Sequence, residues 1–324
     1  MNAASIPRAF KPRAGVFELA GLFSLLLLFI VLSLASDAFL SKDNLLNVLQ
    51  ANADIGIAAC AGTLVIVAGG IDLSVGAIYA VAGVLSAKLA ISTGVGAGVI
   101  AGVLAGALLG LLNGLVVTAG RVNPLIATLA GAIVFTGAAE VLADQELLTP
   151  TAAGFVDLGR NSLIGVKYSV WLLVIAALVF GFLLSRARFG REVRVVGSNP
   201  EAARLSGIAV NRVRCITYVL SGLAAAVAGV LAVSQAGQAQ SNIGGIPYVL
   251  AVVAAIAVGG TSLRGGEGAV WRTIIGVLFL GLVNNGLGLL NVDPLYNQFF
   301  TGLLILIAVS GEIFARRTAG RVAT

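Results

Sequence analysis

Solid apolar runs, each closed by a glycine, a proline or a charged residue, follow one another along almost the whole chain. They fall near residues 16–36, 46–69, 72–91, 95–119, 124–143, 168–185, 214–235, 246–262, 268–290 and 296–315. Runs of roughly 20 residues, at about 1.5 Å of rise per helical residue, match a hydrocarbon layer about 30 Å thick. A barrel of the outer-membrane type would alternate polar and apolar residues, and these runs do not. They predict an all-α, polytopic membrane protein of about ten transmembrane helices. The second run is the most polar, because Asn47, Gln50, Asn52 and Asp54 fill its first half. The resulting division is a tail over 1–15, a membrane domain over 16–315 containing a polar loop at 186–213, and a second tail over 316–324.

Charge orients the spans. With the N-terminus in the cytoplasm, the inside segments hold Arg8, Lys11, Arg13, Arg121, the arginines of the 186–213 loop, Arg264, Arg316, Arg317 and Arg321. The outside segments hold Lys42, Lys88, Arg160 and Lys167, accompanied by Asp37, Asp43, Asp144, Glu146, Asp157 and Asp293. Lys and Arg favour one side, as positive-inside orientation requires, and ten spans place both termini in the cytoplasm. The run from Val16 to Ala35 is too long for a signal-peptide core and reads as an uncleaved first span.

Composition narrows the classes. Charged residues make up 10% and hydrophobic ones 59%, with a mean hydropathy of +1.04, which excludes an ordinary soluble domain. The net charge of +6 comes from span ends, so membrane orientation accounts for it and nucleic acid binding does not. There is no histidine, and the two cysteines, Cys60 and Cys215, lie in or beside apolar runs. That removes His-based catalysis, a disulfide framework and a metal site.

The loop between the sixth and seventh runs carries Arg186, Arg188, Arg191, Arg194, Arg204, Arg212 and Arg214. At its centre, Asn199-Pro200-Glu201-Ala202-Ala203-Arg204-Leu205-Ser206-Gly207 predicts a two-turn helix near 200–206. Asn199 serves as N-cap, Pro200 occupies the first position and Gly207 ends it. Glu201 suits the positive end of the helix dipole. Two other stretches resemble each other: Gly69-Gly70-Ile71-Asp72-Leu73-Ser74-Val75-Gly76 and Gly259-Gly260-Thr261-Ser262-Leu263-Arg264-Gly265-Gly266. Both join two apolar runs through a glycine pair, as an internal repeat in a transporter would. Gly98, Gly102, Gly106, Gly110 and Gly114 recur every four residues, a small-residue face for close helix packing.

Glu201-Ala202-Ala203 followed by Gly207, on a loop between spans, resembles the coupling motif of the membrane subunits of bacterial ATP-binding-cassette importers. The stretch Phe189–Pro200, the Gly69–Gly76 turn and Val122-Asn123-Pro124-Leu125-Ile126-Ala127-Thr128-Leu129 resemble the ribose-type sugar permeases in particular. The resemblance covers about residues 16–315 and implies an inner-membrane permease working with a second permease copy. It further implies two ATP-hydrolysing subunits, or one fused double ATPase, and a periplasmic sugar-binding protein. The chain has no Gly-x-x-x-x-Gly-Lys-Ser/Thr loop, so it carries no cofactor, and ATP and Mg would be bound by the partner ATPase. In that reading Glu201, Ala202, Ala203, Arg204, Leu205 and Gly207 grip the ATPase, with Ala202, Ala203 and Leu205 entering a groove on it. Gly69, Gly70, Asp72, Ser74, Gly76, Gly259, Gly260 and Arg264 form glycine turns or a cytoplasmic gate. Asp72 reads equally as the N-cap of the third span. The outer connections 144–167 and 235–247 would receive the binding protein.

Polar residues inside the spans are candidates for the pathway: Asn52, Asp54, Asn113, Glu140, Asn284 and Asn285. Amides offer donors and acceptors to sugar hydroxyls, although they also join helices to one another. The scarcity of intramembrane charge points to a neutral solute, a pentose, hexose or related polyol. A secondary carrier or channel for a small neutral solute is the alternative, and it would call for paired carboxylates at mid-membrane. An intramembrane enzyme lacks a nucleophile–base pair.

Overall fold

A computed structural model describes residues 14–306, apart from Gln145, Thr151, Pro294, Leu295, Asn297, Gln298, Thr301, Leu304 and Ile305. The helices, in order, are α1 (Ala14–Ala35), α2 (Lys42–Ala51), α3 (Ala53–Val67), α4 (Val75–Ser92), α5 (Val95–Thr118), α6 (Pro124–Ala143) and α7 (Ala153–Arg160). After a hairpin of β1 (Ser162–Leu163) and β2 (Val166–Lys167) come α8 (Tyr168–Ser185), α9 (Arg188–Ser198), α10 (Pro200–Leu205), α11 (Val210–Ala236), α12 (Ile246–Val258) and α13 (Val270–Leu289). The hairpin is antiparallel, pairing Ser162 with Lys167 and Leu163 with Val166. Among the described residues the fold is all-α apart from these short strands.

Six helices among the described residues, α4, α5, α6, α8, α11 and α13, are long and apolar enough to cross a membrane. The expected second span is not one helix. α2 and α3 meet at Asn52 with a bend of 46°. Asn52 turns its side-chain amide back onto the Val48 carbonyl (2.8 Å), and Ser41 caps α2 by accepting from the Asn44 amide. The expected span over 246–262 is a 13-residue helix, about 20 Å long at the standard rise, and cannot cross a ~30 Å layer alone. Its lead-in enters the bundle: Gly244 packs against Gly76 and comes up beside the Tyr79 ring. The third span starts at Val75 behind Ser74, not at Asp72. The tenth expected span, 296–315, lies largely outside the described residues, as do the tail 316–324 and most of the tail 1–15.

The centre of the bundle is α11, packed between α5, α4 and α3. Backbone rather than bulk sets its closest approaches. Gly98, Gly102, Gly106, Gly110 and Gly114 of α5 are all buried. A Cβ at Gly102 would stand 2.7 Å from the Ala82 carbonyl oxygen, and one at Gly114 would stand 2.9 Å from the Cys215 sulfur. The opposite face of α5 shows Leu104, Leu108 and Leu112, with Leu104 63% exposed. Both faces are apolar, so size sorts them, with small residues toward protein and leucines toward lipid.

Candidate functional site

The end of the bundle that carries the arginine loop holds three helix-ending turns of one kind, two of which meet. α3 closes with Gly69 at φ +78, the Gly69 amide donating to Ile66 and the Gly70 amide to Val65. α12 closes in the same way, with Gly260 at φ +78, its amide on Ala257 and the Thr261 amide on Ile256. α10 repeats the pattern with Gly207 at φ +79. These are left-handed Schellman caps, which satisfy the last helical carbonyls and need glycine for the positive φ. The two glycine turns that look alike in sequence thus share one backbone geometry, and they touch. A Cβ at Gly265 would lie 2.9 Å from Gly69 Cα and 3.0 Å from the Gly197 carbonyl oxygen. The Gly266 amide donates to the Val67 carbonyl (2.8 Å), and Gly197, at the end of α9, lies directly on that carbonyl. Arg214 on α11 donates to the Ala68 carbonyl (3.3 Å).

The arginine loop is therefore structured over most of its length. α9, absent from the expected loop, buries Val193 and Val196 in the same core cluster as Leu64, Val67, Leu184 and Val213, and Gly190 against the backbone at the end of α8. Its signal was available as Phe189, Val193 and Val196, spaced four and three apart. Arg194 is half-buried on α9, and that burial, with Arg272 nearby, holds its guanidinium below the usual arginine range while Glu267 opposes the shift. α10 follows as expected: the Asn199 side-chain oxygen accepts from the Glu201 (3.1 Å) and Ala202 (3.0 Å) amides. Glu201 and Arg204 pair across one turn at 3.0 Å. Leu205 is 85% exposed, whereas Ala203 is fully buried. Ala203 therefore seats the helix on its own bundle and does not face outward with Ala202 and Leu205.

Asp72 lies above this junction, buried between helices. Its carboxylate accepts from the Ser74 amide (3.0 Å), the Ser74 hydroxyl (2.6 Å) and the Ser221 hydroxyl of α11 (2.8 Å). The Asn113 amide donates to Ser74 Oγ (2.6 Å), while Tyr218 and Thr128 donate to the Ile71 carbonyl. Arg264 is exposed, and Gly259 packs on the backbone of Arg272 and Thr273.

The pathway candidates separate. Asn113 is committed to Ser74 and Asn52 to Val48. Asn285 exchanges two hydrogen bonds with Asn44, at 2.7 and 3.2 Å, which ties α13 to α2. Glu140 and Asn284 are exposed on the outer faces of α6 and α13. Asp54 stands apart from the other five, lining a cavity with Gln50, Ser169 and Gln235. Its carboxylate accepts from the Ile55 amide (2.8 Å) and the Tyr79 hydroxyl (3.1 Å), and its backbone carbonyl accepts from the Tyr248 hydroxyl (3.2 Å). The rings of Tyr79 and Tyr248 lie 4.3 Å apart.

At the other end, 144–167 forms α7 and the hairpin. Arg160 clamps the end of α11 by donating to the Gln235 and Ala236 carbonyls. Of the second expected outer connection, only its first part stays at that end, where Ala239 bridges to Leu148. From Ile243 the chain turns into the bundle. No group of His, Cys, Asp and Glu among the described residues could hold a metal ion.

A sequence profile of the family described as branched-chain amino acid transport system / permease component matches residues 44–309. Over 300 residues the chain is 42% identical to the ribose import permease protein of Bacillus subtilis (strain 168), covering 91% of this chain and 92% of that one. It is 37% identical over 310 residues to the ribose import permease protein of Escherichia coli (strain K12), with coverages of 93% and 95%. It is 35% identical over 313 residues to the L-arabinose ABC transporter permease protein of Azospirillum brasilense, with coverages of 94% and 91%. No solved structure matches it.

Proposed function

Because the chain belongs to this permease family, in its ribose-type branch of ATP-binding-cassette sugar importers, we propose that it carries a monosaccharide from periplasm to cytoplasm as one half of a permease pair. It is an inner-membrane permease subunit and not itself an enzyme; ATP is hydrolysed by a separate subunit. The family implies that ATPase and a periplasmic binding protein as partners. In our reading the partner set is a second copy of this chain, two ATPase chains or one fused double ATPase holding ATP and Mg, and a sugar-loaded binding protein. The relatives named for ribose and arabinose favour a pentose or hexose over the branched-chain amino acid of the family description. The arginine end is taken as cytoplasmic, following the charge asymmetry.

The observation that carries the reading is α10: a capped helix with a large apolar side chain, Leu205, turned outward at the tip of the arginine end. An apolar anchor beside the Glu201–Arg204 pair fits a groove on a partner, with charge-assisted contacts at the rim. Displacement of α10 would pass through α9 to Gly197, and from there to both glycine turns, which touch Gly197 backbone to backbone. The test is Leu205→Asp and Glu201→Lys in the reconstituted importer. Both variants should insert and pair normally, yet lose sugar uptake and the stimulation of ATP hydrolysis by loaded binding protein. Normal uptake by both variants would sink the docking assignment.

A further inference from the structure

Two interruptions of helical backbone meet at one residue. α2 breaks from α3 at Asn52, two residues before Asp54, and α12 begins inside the bundle with Tyr248 donating to the Asp54 carbonyl. Non-helical backbone at membrane depth persists where it is buried in protein or lines a watered cavity, because its free amides and carbonyls need partners. A cavity of about 380 Å³ opens here, with Gln50, Asp54, Ser169 and Gln235 as polar lining and Leu231 and Ala232 as an apolar wall.

The polar groups are placed and underused. A carboxylate offers about four acceptor positions. Asp54 fills two of them, from the Ile55 amide and the Tyr79 hydroxyl, and those bonds hold the group in place. The Ser169 hydroxyl is buried and has no hydrogen-bond partner among the described residues. Such a group costs about 1–3 kcal/mol unless something supplies the bond. Arg160 holds the backbone carbonyl of Gln235, which fixes the chain at that lining residue. Among the described residues no Lys or Arg lines the cavity, so the carboxylate of an amino acid would find no counter-charge from them. A neutral ligand with adjacent hydroxyls meets every requirement: two hydroxyls donate to Asp54, Ser169 and the glutamines exchange bonds with the rest, and the C–H face lies on Leu231 and Ala232. The volume falls within the range of about 300–1,000 Å³ usual for small-molecule sites.

We propose that this cavity, at the α2–α3 break between α8 and α11, is a transit site for a neutral monosaccharide, with Asp54 as its vicinal-diol acceptor. The proposal rests on the import reading above and adds to it the site's residues and the exclusion of amino acids.

The test uses the complete importer, with ATPase and binding protein, in proteoliposomes at saturating D-ribose or L-arabinose. Sugar accumulated per ATP hydrolysed is measured for wild type, Asp54→Asn, Ser169→Ala and Gln235→Leu. The ratio should fall at least threefold in Asp54→Asn and in one or both of the others. A ratio within threefold of wild type in Asp54→Asn, or in both of the others, overturns the site even where uptake and hydrolysis decline together, since that marks a structural role. A wild-type complex that accumulates neither sugar overturns the import reading and the site with it. Wild-type uptake with unaffected variants overturns the site alone.

Discussion

Replacing Gly197 with alanine adds one methyl group where α9 meets α3 and the α12–α13 loop. The new Cβ would overlap the Val67 carbonyl oxygen and approach the Gly266 nitrogen to 2.7 Å, the two partners of a 2.8 Å hydrogen bond. Its neighbours are backbone atoms, so rotamer changes cannot relieve the clash. Overpacking costs about 1–3 kcal/mol, and losing the buried amide–carbonyl bond costs about 1–3 kcal/mol more. Together these make about 2–6 kcal/mol, concentrated on the contact through which α9 and α10 touch the glycine turns. At about 1.4 kcal/mol per tenfold, the lower bound already depopulates the joined arrangement roughly thirtyfold. Gly207→Ala is the control. No atom lies within 4 Å of its Cβ position, so only the positive φ is penalised, at about 1–2 kcal/mol. In the reconstituted importer, Gly197→Ala should hydrolyse ATP while uptake falls at least tenfold, and Gly207→Ala should keep a larger share of uptake. Wild-type uptake by Gly197→Ala, from protein of normal yield and stability, would refute the transmission route.

The α5 stripe makes an expression test. Gly106→Leu drives a side chain into Gly222 and Ala226 of α11 and should abolish accumulation in the membrane, whereas Leu104→Ala on the exposed face should change stability by no more than about 0.5 kcal/mol. Asp72→Ala strips the acceptor from three buried donors and should destabilise by about 3 kcal/mol or more; Asp72→Asn keeps one acceptor oxygen and should cost far less. Thermal exposure of the buried Cys60 thiol to a maleimide dye reads both. Lys88 and Asp144 form an exposed pair at 2.7 Å, so Asp144→Asn should alter the melting midpoint little, an effect of about 1 kcal/mol or less.

What sequence reasoning reached was local. The cap, first-turn proline and stop of α10 all lie within Asn199–Gly207, and each acts on its neighbours in the chain. The glycine turns were visible as a repeated pattern because Gly69 and Gly260 answer one backbone demand. The small-residue face of α5 showed in its four-residue spacing. The rest depended on partners far away in the chain. Asp72 read equally as a cap because Ser221, which buries its charge in a hydrogen bond, is 149 residues distant. The polar half of the second run hinted at trouble, but the partner that receives α2 after the bend, Asn285 on Asn44, lies 241 residues away. Gly244-Gly245 read as an outer loop, since nothing local announces that Gly244 packs on Gly76. Of the pathway candidates, hydrophobicity could not tell an amide that joins helices from one that lines a cavity. Ser169 and Gln235, polar residues at span ends, gave no signal of their own.

ATP-dependent uptake by the reconstituted importer tests the central claim most directly. Proteoliposomes holding this chain, its ATPase and its binding protein are given radiolabelled D-ribose, L-arabinose or L-leucine, with ATP on the ATPase side. The account predicts accumulation of at least one of the two sugars that requires ATP hydrolysis and is lost in Leu205→Asp, with no accumulation of leucine. Uptake of leucine in place of sugar, or sugar uptake that follows an ion gradient without ATP, would contradict it.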